Sequence, residues 1–289
     1  MFDLAHAEQQ GFTRPGTGSG LADVARHRYL LRLLVRKEVG VRYRGSVLGW
    51  LWSYVKPAAQ FAVFFLALGI FLKMNTSMPS YPIYLFSGVC LTNFFTEAFS
   101  NATRSLVDNA ALIKKIYLPR EMFPVSSTLV ALVNFLPQAA VLLIVCLIVG
   151  WHPSLLQFVG ILLGIVLIAL LAIGLGMLFG AANVVFRDSQ NFVEIIVMVV
   201  AWLSPVLYPF TLVQQALPTW AFAVYQLNPI TAAINLFHAG FWYPTTDGSV
   251  PLPPHLYLFA SAATVICLII LGIGQVVFRK LEGRFAQDL

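Results

Sequence analysis

Long uncharged stretches separated by short polar or basic segments dominate the chain. No Asp, Glu, Lys or Arg occurs at residues 122–186, 195–246 or 248–278. A helix needs about 20 apolar residues to cross the hydrocarbon core of a bilayer. The first stretch is too long for one crossing, and the turn-forming residues Gly150 and Pro153 divide it into two.

The pattern predicts an all-α integral membrane protein with six transmembrane helices. Their approximate ranges are 52–73, 82–103, 123–149, 155–182, 190–208 and 256–278. Pro57 lies near the start of the first range, where it either occupies the first helical turn or kinks the helix.

Composition agrees with this prediction. Of the 289 residues, 59% are hydrophobic and only 10% are charged, whereas soluble domains carry about 25% charged residues. An ordinary soluble enzyme and a disordered chain are therefore excluded. The three cysteines lie in apolar runs without C-x-x-C spacing, so we expect small buried side chains and no metal site.

Basic residues fix the expected orientation. With six crossings, 17 of the 18 Lys and Arg residues fall on one side, and Lys73 is the exception. The positive-inside rule then makes both termini cytoplasmic. The net charge of +6 is explained by this asymmetry, and no nucleic-acid partner is expected. We expect residues 1–24, which are rich in Gly near their end, to form a flexible cytoplasmic tail.

Residues 25–44 read as an amphipathic helix at the membrane interface, with leucines on one side and bases on the others. The alternative is a solvated face of a soluble N-terminal helix. A group of bases there, which anionic lipid headgroups would attract, comprises Arg36, Lys37, Arg42 and Arg44.

Prolines divide the uncharged segment 209–243 into short pieces, and the piece from Pro229 to about Gly240, about 18 Å long, is too short for a normal crossing. Asn228 and Pro229 predict a helix start, with Asn228 as the N-cap. A seventh crossing would place the basic C-terminal segment outside. We therefore expect a re-entrant helical hairpin entering from the outer face, the alternative being a loop that lies flat at the interface.

A short helix is predicted in the cytoplasmic loop after the second crossing, with Asp108 as its cap and Lys114 in its last turn. Leu112, Ile113 and Ile116 would form an apolar patch with a charged rim, which indicates a protein partner. The alternative is a linker helix packed on its own domain.

These segments, in this order, resemble the membrane subunits of ABC-2 type exporters, in particular permeases for lipid-linked O-antigen, teichoic acid and mycobacterial galactan. The resemblance rests on the segments 43–52 (YRGSVLGWLW), 113–121 (IKKIYLPRE), 183–188 (NVVFRD), 204–208 (SPVLY) and 227–231 (LNPIT), together with Lys56 and Pro57.

The resemblance implies an ABC-2 transmembrane domain over residues 45–289, working as a homodimer with two copies of a separate ABC ATPase subunit. The loop helix, about 105–118, would be the coupling helix seated in the ATPase, and Arg187 with Asp188 would make a second contact. The sequence contains no G-x-x-x-x-G-K-[ST] motif, so ATP and Mg are expected on the partner and no cofactor on this chain. The hairpin would gate the outer mouth.

The implied activity is export of a polyprenyl-pyrophosphate-linked polysaccharide across the bacterial inner membrane, without an enzymatic site on this chain. Aromatic residues would line the sugar path, and the candidates are Phe61, Phe64, Phe65, Trp202 and Tyr208. Each of them could equally be a packing or lipid-facing residue. The basic group of residues 36–44 would bind the pyrophosphate or headgroups. Glu97, inside an apolar crossing, is expected to face a helix or a cavity.

Three alternatives remain. The same fold could export a drug or a simple lipid, which this sequence hardly distinguishes. An integral-membrane polyprenyl-phosphate glycosyltransferase would need clustered carboxylates for a metal, but Asp108, Glu121 and Asp188 are widely spaced. A secondary transporter or channel would favour repeated halves, and no clear internal repeat is present.

Overall fold

The computed structural model describes residues 20–42, 49–115, 118–246, 248–283 and 285, and all regular structure in these ranges is helical. The all-α fold class is therefore confirmed. The helices are α1 Leu21–Arg26, α2 Arg28–Arg42, α3 Trp52–Phe64, α4 Met74–Ser77, α5 Tyr81–Asp108, α6 Ala110–Lys115, α7 Met122–Ile148, α8 Leu155–Val185, α9 Ser189–Leu203, α10 Phe210–Ala216, α11 Thr219–Leu227, α12 Pro229–Phe237 and α13 Leu256–Glu282.

Two of the α-helices continue directly as π-helices. α3 runs on as the π-helix Phe65–Phe71, and α12 runs on as the π-helix His238–Trp242. Pro57 is the sixth residue of α3, so it lies inside the helix and not in its first turn.

Four helical segments within the described ranges are long and apolar enough to cross a membrane: Trp52–Phe71, Met122–Ile148, Leu155–Val185 and Leu256–Glu282. They correspond to four of the six predicted crossings.

The other two predicted crossings differ from their expected ranges. α5 continues to Asp108, five residues beyond the predicted end, and carries many polar residues. α9 has 15 residues, about 22 Å, because Pro205 disfavours a helical conformation at Ser204 and the helix stops at Leu203. Tyr208 consequently lies in the irregular segment after α9.

The main apolar core surrounds α5 and α8, which pack against each other, while α13 packs on the other side of α8. Glycines bring these helices together: Gly176 of α8 lies against Ala102 of α5, and Gly174 lies against Gly274 of α13. α12 is buried along its whole length and packs on α8 and α13.

A second apolar cluster joins α1, α2 and α6 to the adjoining ends of α5, α7, α8 and α13. Its buried residues include Val24, Leu34, Leu106, Phe123 and Phe278. The helix predicted over residues 25–44 is present as α2, Arg28–Arg42, which docks on the protein through Leu34. Its place at the membrane interface stays a prediction. Residues 21–24 were assigned to the flexible tail, but they form part of α1 because Val24 is buried in this cluster. Residues 1–19 lie outside the described residues.

Candidate functional site

A stripe of polar side chains follows one face of α5. Asn93, Glu97, Asn101 and Ser105 recur every four residues, a spacing that places side chains one above another on a helix. α7 contributes polar side chains to the same region. These groups need polar partners because the surrounding helices are apolar.

The polar residues of α5 and α7 border a cavity of about 640 Å³, here called the polar cavity. Its walls come from the end of α2, the first turns of α3 and the middles of α5 and α7. The lining residues are Arg42, Trp52, Ser53, Lys56, Pro57, Gln60, Asn93, Thr96, Glu97, Asn134 and Gln138. The volume is typical of sites for small molecules, about 300–1,000 Å³.

An ion pair between Arg42 and Glu97 stands in the wall of the polar cavity. Asn134 of α7 donates a hydrogen bond from Nδ2 to the same carboxylate oxygen, Glu97 Oε1, over 2.6 Å. The carboxylate is therefore held from two other helices, α2 and α7. Such pairing compensates the cost of placing a charge among apolar helices.

A second cavity of about 350 Å³, the α2 groove, extends along α2 toward the end of α5. Arg42 belongs to the walls of both cavities. Within the α2 groove, Lys37 donates from Nζ to Asn109 Oδ1 over 2.9 Å, and Ser126 donates from Oγ to Glu38 Oε1 over 3.2 Å. Polar contacts therefore fix α2 to the ends of both α5 and α7.

Burial raises the pKa of Glu38 above its ordinary value, while the hydrogen bond from Ser126 and the charge of Lys37 act in the opposite direction. Glu38 thus gains a proton more readily than a solvated glutamate. Within the ranges that the structure describes, no three of the His, Cys, Asp and Glu side chains lie together as ligands for a metal ion.

Comparison with known proteins identifies the architecture that carries these cavities. The model of the ABC-2 type transporter family matches residues 29–242, a span that runs from α2 to the end of the α12 π-helix and contains both cavities. The chain belongs to the ABC-2 type transporter family.

Individual relatives cover between 70% and 92% of the chain. An "O-antigen export system permease protein RfbA" of Klebsiella pneumoniae is 27% identical over 260 residues, 90% of this chain and 95% of the relative. A Myxococcus xanthus protein with the same name is 26% identical over 92% of this chain and 98% of the relative. The "Polysialic acid transport protein KpsM" of Escherichia coli is 24% identical over 70% and 77%.

The five aromatic residues proposed for a substrate path fall into two groups in this ABC-2 chain. Phe61, Phe64 and Phe65 are partly buried against the main core, with Phe61 and Phe65 stacked at 5.7 Å between ring centroids. Tyr208 donates a hydrogen bond from its hydroxyl to the backbone oxygen of Trp202. None of the five is among the residues that line either cavity, so their role in a path stays a prediction.

The predicted coupling helix exists as α6, but its start differs. Asp108 ends α5, and the Asn109 carbonyl accepts the first hydrogen bonds of α6, from the backbone N–H groups of Leu112 and Ile113. Asp108 is not the cap because α5 continues through it without a break.

The apolar residues of α6 are partly used within the chain itself. The side chains of Leu112 and Ile113 are half-buried against the second apolar cluster, as the linker-helix alternative predicts, whereas Lys114 is exposed. Ile116 lies outside the described residues. The coupling role therefore stays a prediction, with less free apolar surface than the sequence indicated.

The turn between α8 and α9 is exposed on the surface of the chain. Arg187 and Asp188 are exposed there, and the preceding Phe186 is 69% exposed. On α2, Arg36 and Lys37 are also exposed, while Arg44 lies outside the described residues.

The start of α12 confirms the predicted helix cap. Asn228 accepts a hydrogen bond at Oδ1 from the backbone N–H of Ile230 over 3.1 Å, and Pro229 occupies the first helical position.

The sequence interpretation missed most of the polar cavity. It singled out Arg42 and Glu97, and it named Trp52, Lys56 and Pro57 only as carriers of the family resemblance. It did not name the amides Asn93, Asn134 and Gln138. The four-residue spacing from Asn93 through Ser105 in the second predicted crossing was available as an indication that one face of this helix is polar.

Proposed function

We propose that this chain is the transmembrane permease subunit of an ATP-driven exporter that moves a polyprenyl-pyrophosphate-linked polysaccharide across the bacterial inner membrane. The observation that carries the proposal is the similarity over nine-tenths of the chain to proteins named as O-antigen export permeases. The polar cavity supports it, because a transporter of glycans needs polar groups between its membrane helices.

The proposed topology has six crossings, α3, α5, α7, α8, α9 and α13, with both termini in the cytoplasm. The distribution of Lys and Arg supports it. α12 and its π-helical extension have 14 residues, nearly as many as α9, so burial and not length separates the two. Residues Ile230–Trp242 are all buried, whereas α9 buries only Ser189 and Val193. Burial on all sides suits a re-entrant hairpin that closes the outer mouth.

Energy would come from a separate ABC ATPase subunit, which binds ATP and Mg, with two copies of each subunit in the transporter. The surfaces proposed to meet the ATPase are α6 and the turn formed by Phe186, Arg187 and Asp188. An exposed aromatic residue flanked by charges suits a protein contact. The exposed bases of α2 would attract the cargo's pyrophosphate to the cytoplasmic face.

Reconstitution tests this function. The chain and its ATPase subunit are co-purified into proteoliposomes, and movement of a lipid-linked glycan to the opposite leaflet is followed with and without ATP. We expect transport only with ATP and an intact ATPase. Transport that continues with an ATPase unable to hydrolyse ATP would contradict the proposal.

The α8–α9 turn offers a direct test of the ATPase contact. Phe186→Ser should lower the amount of ATPase that co-purifies with the permease by about tenfold, because an exposed aromatic anchor is lost from the interface. The matched control is Leu155→Ser at the opposite end of α8, where the side chain is 81% exposed. An equal loss of ATPase in both variants, or in neither, would show that this turn is not the contact.

A further inference from the structure

The polar cavity contains more hydrogen-bonding capacity than the folded chain uses. Gln138 is only 6% exposed, and its Oε1 has no hydrogen-bond partner. Its Nε2 makes only a long contact of 3.4 Å to the backbone oxygen of Asn134. A buried acceptor without a donor is costly, so native proteins seldom keep one without a reason. Rotation of the Gln138 amide toward the cavity, which this side chain helps to line, would let a hydroxyl group of a ligand supply the missing donor.

The neutral part of the lining fits sugar hydroxyls. Ser53, Gln60, Asn93, Thr96 and Gln138 carry hydroxyl or amide groups that both donate and accept hydrogen bonds. Trp52 adds an aromatic surface at the same wall. A lipid tail would offer these polar groups no hydrogen bond, and a strongly charged ligand would use few of them.

The Arg42–Glu97 pair fits the charged part of a lipid-linked glycan. A guanidinium group binds carboxylates and phosphates in the same bidentate manner, so the two anions compete for it. In this structure Glu97 holds that place on Arg42. Glu97 does not need Arg42 as its only partner, because Asn134 also donates to it.

We propose, on the basis of the function above, that the polar cavity is a binding subsite for the sugar next to the cargo's pyrophosphate. Glu97 is the carboxylate that a cargo phosphate displaces from Arg42. Glu97 then stays with Asn134, and the sugar hydroxyls meet the amides behind it, including Gln138. Because Glu97 occupies Arg42 in the absence of cargo, binding favours cargo that brings both a phosphate for Arg42 and a sugar for the amides.

Binding to the assembled transporter in nanodiscs tests this proposal with two probes. One is a short-chain polyprenyl pyrophosphate that carries a single hexose, and the other is the same lipid pyrophosphate without sugar. The dissociation constant of each probe is measured for the wild-type transporter and for variants of the cavity.

Removal of the competing charge tests the displacement step. Glu97→Gln keeps the shape of the side chain, and we expect both probes to bind about tenfold more tightly, the value of one charged hydrogen bond.

Asn134→Ala, which removes the second partner of Glu97, gives a second variant in case Glu97→Gln does not assemble. Because Glu97 then depends more on Arg42, we expect Asn134→Ala to weaken the binding of both probes. The matched control is Glu194→Gln, a carboxylate exposed on α9 away from the cavity, which should change neither affinity.

Loss of the unpaired acceptor tests the sugar subsite. Gln138→Leu should leave the affinity for the sugar-free probe unchanged and weaken the affinity for the sugar-bearing probe about fivefold, because only the latter donates to Oε1.

Equal effects of Gln138→Leu on both probes would overturn the sugar subsite. Unchanged affinities in Glu97→Gln and Asn134→Ala would overturn the displacement of Glu97. A wild-type transporter that binds neither probe, yet exports another compound with ATP, would instead contradict the proposed function itself.

Discussion

α5 has two very different sides. Toward α8 it is closed: a Cβ added to Gly176 would lie 2.4 Å from the Cβ of Ala102. Toward α2 and α7 it is open, with the polar stripe and a cavity of about 640 Å³. One helix therefore serves as a tightly packed support on one side and as the wall of a compartment on the other.

The closed side continues from α8 to α13. A Cβ added to Gly274 would lie 2.3 Å from the Gly174 carbonyl oxygen, so the two backbones meet directly. Between membrane helices such close packing supplies much of the stability, because lipid is as apolar as the side chains. Stabilising close packing is therefore concentrated on the α8 side of the molecule, while the side next to α2 holds the polar cavity.

The largest effect is expected where the packing is tightest. Gly274→Ala should destabilise the protein by about 3 kcal/mol, because the added methyl group meets backbone that cannot rotate away. The readout is the melting temperature and the yield of monodisperse protein in detergent. Gly272→Ala is the control on the same helix, since its added Cβ meets nothing within 4 Å. A tolerant Gly274→Ala would refute the contrast between the two sides.

A change on the open side should have a much smaller effect on stability. Gln138→Leu removes a buried acceptor without a partner, so we expect the free energy of unfolding to stay within about 1 kcal/mol of wild type or to rise. Thermal unfolding of the purified protein measures this. A loss comparable to that in Gly274→Ala would mean that the polar cavity is also part of the structural support.

The smallest effect concerns pH at the α2 groove. Since burial raises the pKa of Glu38, the folded protein keeps a proton there at pH values where the unfolded chain has lost it. The stability that this group contributes is greatest below its ordinary pKa and falls as the pH rises through the raised value.

Glu38→Gln should therefore melt slightly higher than wild type at pH 7, and the difference should disappear toward pH 4. Melting curves of both proteins over this pH range provide the check. A difference that grows as the pH falls would show that the charged form of Glu38 is the one that the fold stabilises.

Hydropathy and charge predicted the elements better than their contacts. The long apolar helices α7, α8 and α13 and the cap at Asn228 were predicted near their observed positions, since these depend on local composition and local hydrogen bonds. The extension of α5 to Asp108 was missed because its last turns are polar. Their polar face lines the α2 groove, which only the arrangement of α2 and α7 creates.

The sequence also could not predict which part of the molecule a helix face contacts. The spacing of Leu112 and Ile113 correctly indicated an apolar side of a short helix, but not that this side faces the second apolar cluster of the same chain. Gln138 likewise gave no local indication, because its importance comes from the missing donor in its surroundings. Such properties belong to the packing between helices.

The burial of α12 has a consequence for the order in which the chain is assembled during synthesis. α12 packs against α8, which is made earlier, and against α13, which is made later. Because Ile230–Phe237 are all buried, α12 cannot reach its final surroundings until α13 has been inserted. Packing around α12 should therefore be completed only after α13 has been inserted, and nascent chains that end before Leu256 should be recognised as unfinished by membrane quality control.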